Sequence, residues 1–237
     1  MAKQKGSAFE LGLDEAGRGP MLGPLVMAAV ALCADTAQAL QARGVTDSKH
    51  FGAGEKAHEK RRALVAEIVA VASFVEVVVV DVAEIDAAVR KGQLNHLERQ
   101  VAAGLIARAP HCETIYADGK RLFEPLQKQF PQLRAEDKAD SAFVSVAAAS
   151  LCAKVRRDDL WFAICERYRP EFPSELTGLA GGGYVNPATR RFLRAFVSKY
   201  HRLPDETRRS WPRDFLADLL PDENPQVSGP PLLLPWG

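Results

Sequence analysis

One stretch limits the possible folds more than any other. It reads Leu11-Gly12-Leu13-Asp14-Glu15-Ala16-Gly17-Arg18-Gly19-Pro20-Met21-Leu22-Gly23-Pro24. An apolar run ends in two adjacent carboxylates. A turn of three glycines, two prolines and one arginine follows at once. Adjacent strand residues point to opposite faces, so Asp14 and Glu15 cannot both be solvent-facing residues of a half-buried strand. One of them faces inward, and an inward carboxylate needs a cation, a hydrogen-bond donor or a metal. The glycines let backbone N–H groups approach a ligand closely. The stretch therefore predicts a metal-binding acid pair beside an oxyanion-binding turn.

The totals restrict where such a site can act. The net charge of the 237-residue chain is +1, so nucleic acid would have to be held by a local patch rather than a global field. Cys33, Cys112, Cys152 and Cys165 are scattered, with no C-x-x-C pair, which favours reduced thiols over disulfides or a zinc site. No apolar run reaches the ~18 residues of a membrane span. Met1 to Ser7 lacks the apolar core of a signal peptide. A cytoplasmic protein, monomeric and without membrane partners, is expected.

Along the chain, Ala8 to Leu13 predicts a strand ending in the acid pair, and Pro24 to Leu32 a second, well-buried strand. The short loop between them implies an antiparallel pair. Arg43 to Gly54 reads as a loop. Ala57, Leu64, Ile68 and Val71 share one face of a helix over Glu55 to Val71. Valine-rich Phe74 to Val82 predicts a third strand. Leu94, Leu97, Val101, Leu105 and Ile106 predict a helix over Gln93 to Ala107, ended by Pro110. Thr114 to Ala117 reads as a strand stopping at Asp118-Gly119, and Leu122 to Phe130 as a short helix. Arg134 to Asp140 holds a fifth strand, and one long helix is expected from Ser141 to Arg169. This is a mixed α/β sheet covered by helices. Pro170-Glu171-Phe172-Pro173 breaks the chain, a glycine-rich loop runs from Thr177 to Asn186, and Pro187 to His201 reads as a helix. Phe215 to Leu220 adds an apolar turn. The expected organisation is a catalytic domain over 8–170, a helical substrate-binding extension over 171–220 and a disordered tail over 221–237. The apolar residues Leu232, Leu233, Leu234 and Trp236 of that tail either dock a partner or lie on the body of the protein.

Asp14 and Glu15 end one strand, Asp118 ends another, and Asp140 opens the long helix. Strand carboxyl ends in an open α/β sheet share an edge where sites gather. Four carboxylates on one edge repel unless cations bind between them. Hard divalent ions with oxygen ligands fit, and two at ~4 Å can activate a water and stabilise the leaving oxygen of a phosphodiester. Blander roles remain: Asp140 or Ser141 as an N-cap, and Asp118 as a turn residue. A dinucleotide-binding turn fits poorly. The spacing is G-x-G-x-x-x-G, Pro20 removes a donor, and a strand follows where that motif needs a helix. Between Tyr184 and Arg213, Arg190, Arg191, Arg194, Lys199, Arg202, Arg208, Arg209 and Arg213 face only Asp205 and Glu206, which favours a phosphate-backbone track. Tyr184 either stacks on a sugar or base, or packs.

These residues resemble the ribonuclease HII family. Asp14-Glu15-Ala16-Gly17-Arg18-Gly19-Pro20 with Gly23-Pro24 is similar to its signature. Matches continue in order with Asp47-Ser48-Lys49, Leu94-Asn95-His96-Leu97-Glu98, Asp118-Gly119 and Lys138-Ala139-Asp140. Ala147 to Asp158, Gly183-Tyr184 and Arg208-Arg209-Ser210-Trp211 complete the series. No N-terminal extra domain like that typical of ribonuclease HIII is expected. The resemblance implies a ribonuclease H-like mixed five-stranded sheet flanked by helices, with a C-terminal helical extension. It implies endonucleolytic hydrolysis of RNA in RNA–DNA hybrids and incision 5′ to a ribonucleotide embedded in duplex DNA, leaving 3′-hydroxyl and 5′-phosphate ends. Ribonucleotide removal from DNA and RNA primer removal would be the roles. Asp14, Glu15, Asp118 and Asp140 match the catalytic, metal-binding acids, serving Mg²⁺ or Mn²⁺, with two ions during catalysis. Gly17, Arg18 and Gly19 match the loop that contacts the 2′-hydroxyl, with Tyr184 assisting. Lys49, Ser150 and Lys154 match phosphate contacts. Val185 and Asn186 stand before Pro187 where many members place proline straight after the tyrosine. The tail shows no clear sliding-clamp motif. The competing class is a catalytically silent nucleic-acid-binding module, which would bind hybrids equally well with chelator present and cut nothing.

Overall fold

Two strands flank the glycine turn in the computed structural model, which describes residues 8–45, 52, 54–176 and 182–220. The Asp47-Ser48-Lys49 segment and the tail over 221–237 lie outside the described residues. Strand β1 (Phe9–Ala16) pairs antiparallel with β2 (Leu25–Cys33), setting Leu11 opposite Ala31 and Leu13 opposite Ala29. Helices α1 (Ala34–Ala42) and α2 (Glu55–Val71) follow, then β3 (Phe74–Val80), which pairs antiparallel with β2. Next come α3 (Val82–Arg90), α4 (Leu94–Arg108) and β4 (Thr114–Asp118), which lies parallel to β1. The one-turn helix α5 (Lys120–Phe123) continues as a 3₁₀ turn into β5 (Leu133–Glu136), parallel to β4. The sheet order is β3-β2-β1-β4-β5. Helices α6 (Ala139–Ala142), α7 (Val144–Tyr168), α8 (Pro173–Leu176) and α9 (Pro187–Tyr200) complete the described chain, with a last 3₁₀ turn at Asp214–Leu216.

The sequence pattern explains the layers. Every residue of β2 from Leu25 to Leu32 is buried, as an uninterrupted apolar run requires when helices cover both faces. Met27, Ala29 and Ala31 pack with Leu11, Leu13, Ile115 and Leu133 against Ala102 and Leu105 of α4. Val26, Ala28, Val30 and Leu32 pack against Ile68 of α2 and against Ala147, Ala148 and Ala149 of α7. The alanines let α7 come very close to β1. A Cβ added at Gly12 would lie 2.0 Å from the Ser145 carbonyl carbon, so only glycine fits. Gly12→Ala is expected to cost roughly 3 kcal/mol through overpacking. A drop of roughly 6–12 °C in melting temperature would register it, and an unchanged melt would contradict the close approach.

The structure adds two helices to the expected elements and breaks one of them. The segments 34–42 and 82–90, whose pattern predicts no helix, form α1 and α3. The latter is held by a capping box in which Asp81 accepts from the Glu84 N–H at 2.8 Å. The single long helix is broken at Phe143, whose backbone is extended (φ −122°, ψ 123°). Its ring stacks on Tyr116 of β4 at 3.6 Å, which rotates it out of the helical path. Asp140 thus sits on a separate helical turn, entered through Lys138 in the left-handed region (φ 62°).

A third apolar cluster lies away from the sheet. Phe192, Leu193, Phe196 and Val197 of α9 pack on Trp161, Ile164 and Cys165 of α7 and on Met21 and Leu22 of the glycine turn. The C-terminal part is therefore packed against the segment that follows the acid pair. Among the described residues no helix is long and apolar enough to cross a membrane.

Candidate active site

The parallel pairing of β1 with β4 puts Leu13 opposite Ala117, so Asp14 and Asp118 leave neighbouring strands at the same height. Asp140 joins them from α6. One carboxylate oxygen from each of Asp14, Asp118 and Asp140 lies within 4.8 Å of the other two. Asp118 also ties the two segments together, because its Oδ1 accepts from the Ala139 N–H at 2.9 Å. Neither Asp140 nor Ser141 is an N-cap, since that position belongs to Lys138 in α6 and to Phe143 in α7. Asp118 is the last residue of β4, directly before Gly119 in the left-handed region.

The acid pair divides between the two sheet faces, as strand alternation requires. Asp14 is 7% exposed and faces α7. Burial pushes its carboxyl up to about 7. The Ser150 side chain and the Glu15 N–H, which bond it, pull it down, while Asp118 and Asp140 push it up. Glu15 faces Arg18 and Glu98. Burial and then the Asp14 charge hold its carboxyl well above the usual range. Its Oε2 is sealed from water and has no hydrogen-bond partner among the described residues. An orphaned buried carboxylate oxygen beside three converging carboxylates is an expensive arrangement without a counter-charge. An all-oxygen donor set with no histidine or thiol suits a hard divalent cation such as Mg²⁺ or Mn²⁺.

The glycine turn is held from behind. Gly17 has φ +85°, and a Cβ there would meet Arg157 Nε at 2.5 Å. The Arg18 side chain turns away to α4, donating to Glu98 Oε1 at 2.8 Å and to Asn95 Oδ1 at 2.5 Å. The resembling segment Leu94-Asn95-His96-Leu97-Glu98 is thus the anchor of Arg18. Burial raises the Glu98 carboxyl, and Arg18 opposes that shift. Arg157 Nη2 donates to the Leu22 and Gly182 carbonyls at 2.7 and 2.9 Å. Tyr184, 39% exposed, lines a groove of about 540 Å³ with Gly19, Arg190, Trp211 and Phe215.

Other expected site residues fall elsewhere. Ser150 touches Asp14 and so supports an acid directly. Lys154 pairs with Asp158 of its own helix at 2.5 Å, and Asp158 in turn accepts from Arg61 Nη2 at 3.2 Å. Lys49 lies outside the described residues. The basic track is corrected. Arg208 and Arg213 are buried, while Arg194, Lys199 and Arg202 pair with Asp218, Glu171 and Asp205. Two of those acids lie outside the stretch that looked lopsided, which is why local charge counting overstated the free positive charge. The sequence assigns no role to Glu98, Asp86, Arg157 or Trp211, and it places Arg208 in the phosphate track rather than behind the turn. Glu98, Arg157, Arg208 and Trp211 stand in the resembling motifs and Asp86 in none, and buried polar anchors look like surface charges in a sequence.

A mixed sheet in this order, with carboxylates converging at the carboxyl ends of two parallel neighbours, is a ribonuclease H-like sheet bearing a candidate divalent-metal site. A family model described as Ribonuclease HII matches residues 11–214. The ribonuclease HII of Methanothermobacter thermautotrophicus is 36% identical over 209 residues, covering 85% of this chain and 95% of that one. That of Pyrococcus abyssi is 35% identical over 210 residues, covering 84% and 87%. Among solved structures, the ribonuclease H2 of Pyrococcus horikoshii matches with a TM-score of 0.73 at 27% identity, covering 91% of this chain and 98% of that one. The ribonuclease HII of Archaeoglobus fulgidus, in complex with PCNA, matches with a TM-score of 0.68 at 32% identity, covering 84% and 91%. The chain belongs to the ribonuclease HII family, and it is a ribonuclease H, a hydrolase acting on nucleic acid.

Proposed function

We propose that the enzyme cuts the RNA strand of RNA–DNA hybrids and incises duplex DNA 5′ to a single embedded ribonucleotide, leaving 3′-hydroxyl and 5′-phosphate ends. It would serve ribonucleotide removal and primer removal. The observation that carries this reading is the convergence of Asp14, Asp118 and Asp140 beside the Gly17-Arg18-Gly19 turn. Asp14, Asp118 and Asp140, with Glu15 adjacent, would hold two Mg²⁺ or Mn²⁺ ions, which supply an activated water and a counter-charge for the departing oxygen. Ser150 keeps Asp14 aimed at the cluster, and the Ala139 N–H keeps Asp118 there. The turn supplies backbone amides to a sugar whose 2′-hydroxyl distinguishes RNA from DNA. Such positioning matters because a one-ångström misplacement of the scissile phosphate costs about 10²-fold in rate.

One assay tests the proposal. A labelled duplex DNA with one ribonucleotide is incubated with Mg²⁺, Mn²⁺ or chelator, and the ends are mapped. Metal-dependent cutting 5′ to the ribonucleotide is expected. Binding without cutting under every condition would favour the silent module instead. Tyr184, half-exposed and in the same groove as Gly19, would stack at the RNA–DNA junction. Tyr184→Ala is expected to slow incision at a single ribonucleotide about tenfold more than cutting within a long hybrid, in line with the worth of one aromatic stack. Equal losses on both substrates would remove Tyr184 from junction reading.

A further inference from the structure

Arg208 has no exposed surface, yet it carries a guanidinium. A buried cation normally has a carboxylate partner. Here every hydrogen bond of the side chain to a described residue goes to a carbonyl of the glycine turn. Nε donates to Gly23 O at 2.9 Å, Nη1 to Arg18 O at 2.7 Å and Nη2 to Gly17 O at 2.5 Å. Trp211, three residues on, adds Nε1 to Gly19 O at 3.2 Å. The carbonyls of Gly17, Arg18 and Gly19 are thus all drawn to one side, toward the C-terminal segment.

That fixes the other side of the turn. Among the described residues there are no cis peptide bonds, and in a trans peptide the carbonyl of one residue opposes the N–H of the next. With Gly17 O and Arg18 O drawn back, the N–H groups of Arg18 and Gly19 point away from Arg208. Neither donates to another described residue. The third peptide contributes nothing, because Pro20 has no N–H. The result is a two-donor face of fixed direction. The clasp is itself anchored: buried Asp86 of α3 accepts from the Arg209 N–H at 2.8 Å, the Ser210 N–H at 2.9 Å and Ser210 Oγ at 2.5 Å. The Arg208 N–H in turn bonds Met21 O at 2.8 Å.

We propose that Arg208, with Trp211, is a positioning residue for ribonucleotide recognition: its guanidinium clasps the carbonyls of the turn and thereby aims the Arg18 and Gly19 N–H groups at the substrate sugar. This rests on the reading of the turn as the ribose reader. The guanidinium fork is essential, since three carbonyls at fixed spacing match Arg and not the point charge of Lys. Arg157, whose guanidinium lies against Gly17, adds a second buried positive charge behind the same donors. Both cations strengthen the attraction of the amide face for an electronegative ligand.

The test reads binding without cleavage, on the Asp118→Asn background with Mg²⁺. Affinity is measured by fluorescence anisotropy for two duplexes that differ only in one 2′-hydroxyl. The parent is expected to prefer the ribonucleotide duplex. Arg208→Lys, which keeps the charge, is expected to lose most of that preference, and Trp211→Phe, which deletes one N–H, to lose about threefold of it, the worth of one hydrogen bond. Affinity for the all-DNA duplex should move far less, since phosphate contacts do not report the sugar. A merely structural role would lower the folded fraction and leave the ratio of the two affinities intact. Retention of the parent ratio in folded Arg208→Lys overturns the inference. If that variant does not fold, Trp211→Phe decides in the same way, an unchanged ratio again overturning it. A parent with no preference would sink the ribose-reading proposal itself, and the clasp with it.

Discussion

Asp118→Asn is expected to reduce the rate of hybrid cleavage by about 10³-fold or more, the equivalent of several kcal/mol of transition-state stabilisation from metal-assisted hydrolysis. The substitution is chosen because it separates charge from architecture. The amide oxygen of asparagine can still accept the Ala139 N–H that Asp118 Oδ1 now receives at 2.9 Å, so β4 and α6 stay linked. What is lost is one negative charge from a cluster whose ligand atoms lie within 4.8 Å of one another. Hybrid binding should stay measurable, because phosphate contacts lie largely outside the acids. Single-turnover cleavage, anisotropy and a thermal melt on the same preparation check the three claims. Cleavage at the parental rate would remove Asp118 from catalysis, and with it the proposed role of the cluster.

The acid cluster was readable in the sequence because its chemistry is written locally. Two carboxylates closing an apolar strand announce buried charge, and Asp118 closes another strand in the same way. The fold followed from the same periodicities, with β2 too uniformly apolar to be anything but central. The break at Phe143 was not readable, because it depends on Tyr116, a residue distant in sequence, offering a ring to stack upon. The basic track failed for a related reason. Lys199 and Arg194 find Glu171 and Asp218 only once α9 has packed. Arg208 is the most instructive miss. In a sequence it is one cation in a basic run, and only the fold places it beneath Gly17 and Arg18. Backbone carbonyls have no sequence signature, so a side chain that serves them is invisible until coordinates exist.

The second large effect concerns stability rather than rate. The Asp14 carboxyl lies at about 7 in the folded protein against 3.8 for the isolated group. The folded state therefore holds that proton more tightly than the unfolded state. Stability falls as pH rises whenever the native state binds more protons, so a penalty grows from about pH 4 and is complete above about pH 7. Its full size is on the order of 4 kcal/mol, with roughly 2–3 kcal/mol accruing between about pH 5 and pH 7.5. Burial causes most of it, with the Asp118 and Asp140 charges adding to it, and Glu15 is shifted in the same direction. Denaturant unfolding in chelator should thus show Asp14→Asn gaining on the parent as pH rises through this window. Added Mg²⁺ or Mn²⁺ should reverse the order. A ligand at about 100 times its Kd stabilises the native state by about 2.7 kcal/mol, and the parent, with its full set of acids, should gain more than the variant. A parent whose stability ignores both pH and divalent ions, relative to Asp14→Asn, would mean that the carboxylates are compensated by something other than a cation. The mutual repulsion of the acids and their appetite for metal are one property: carboxylates held close together by two parallel strands and a broken helix.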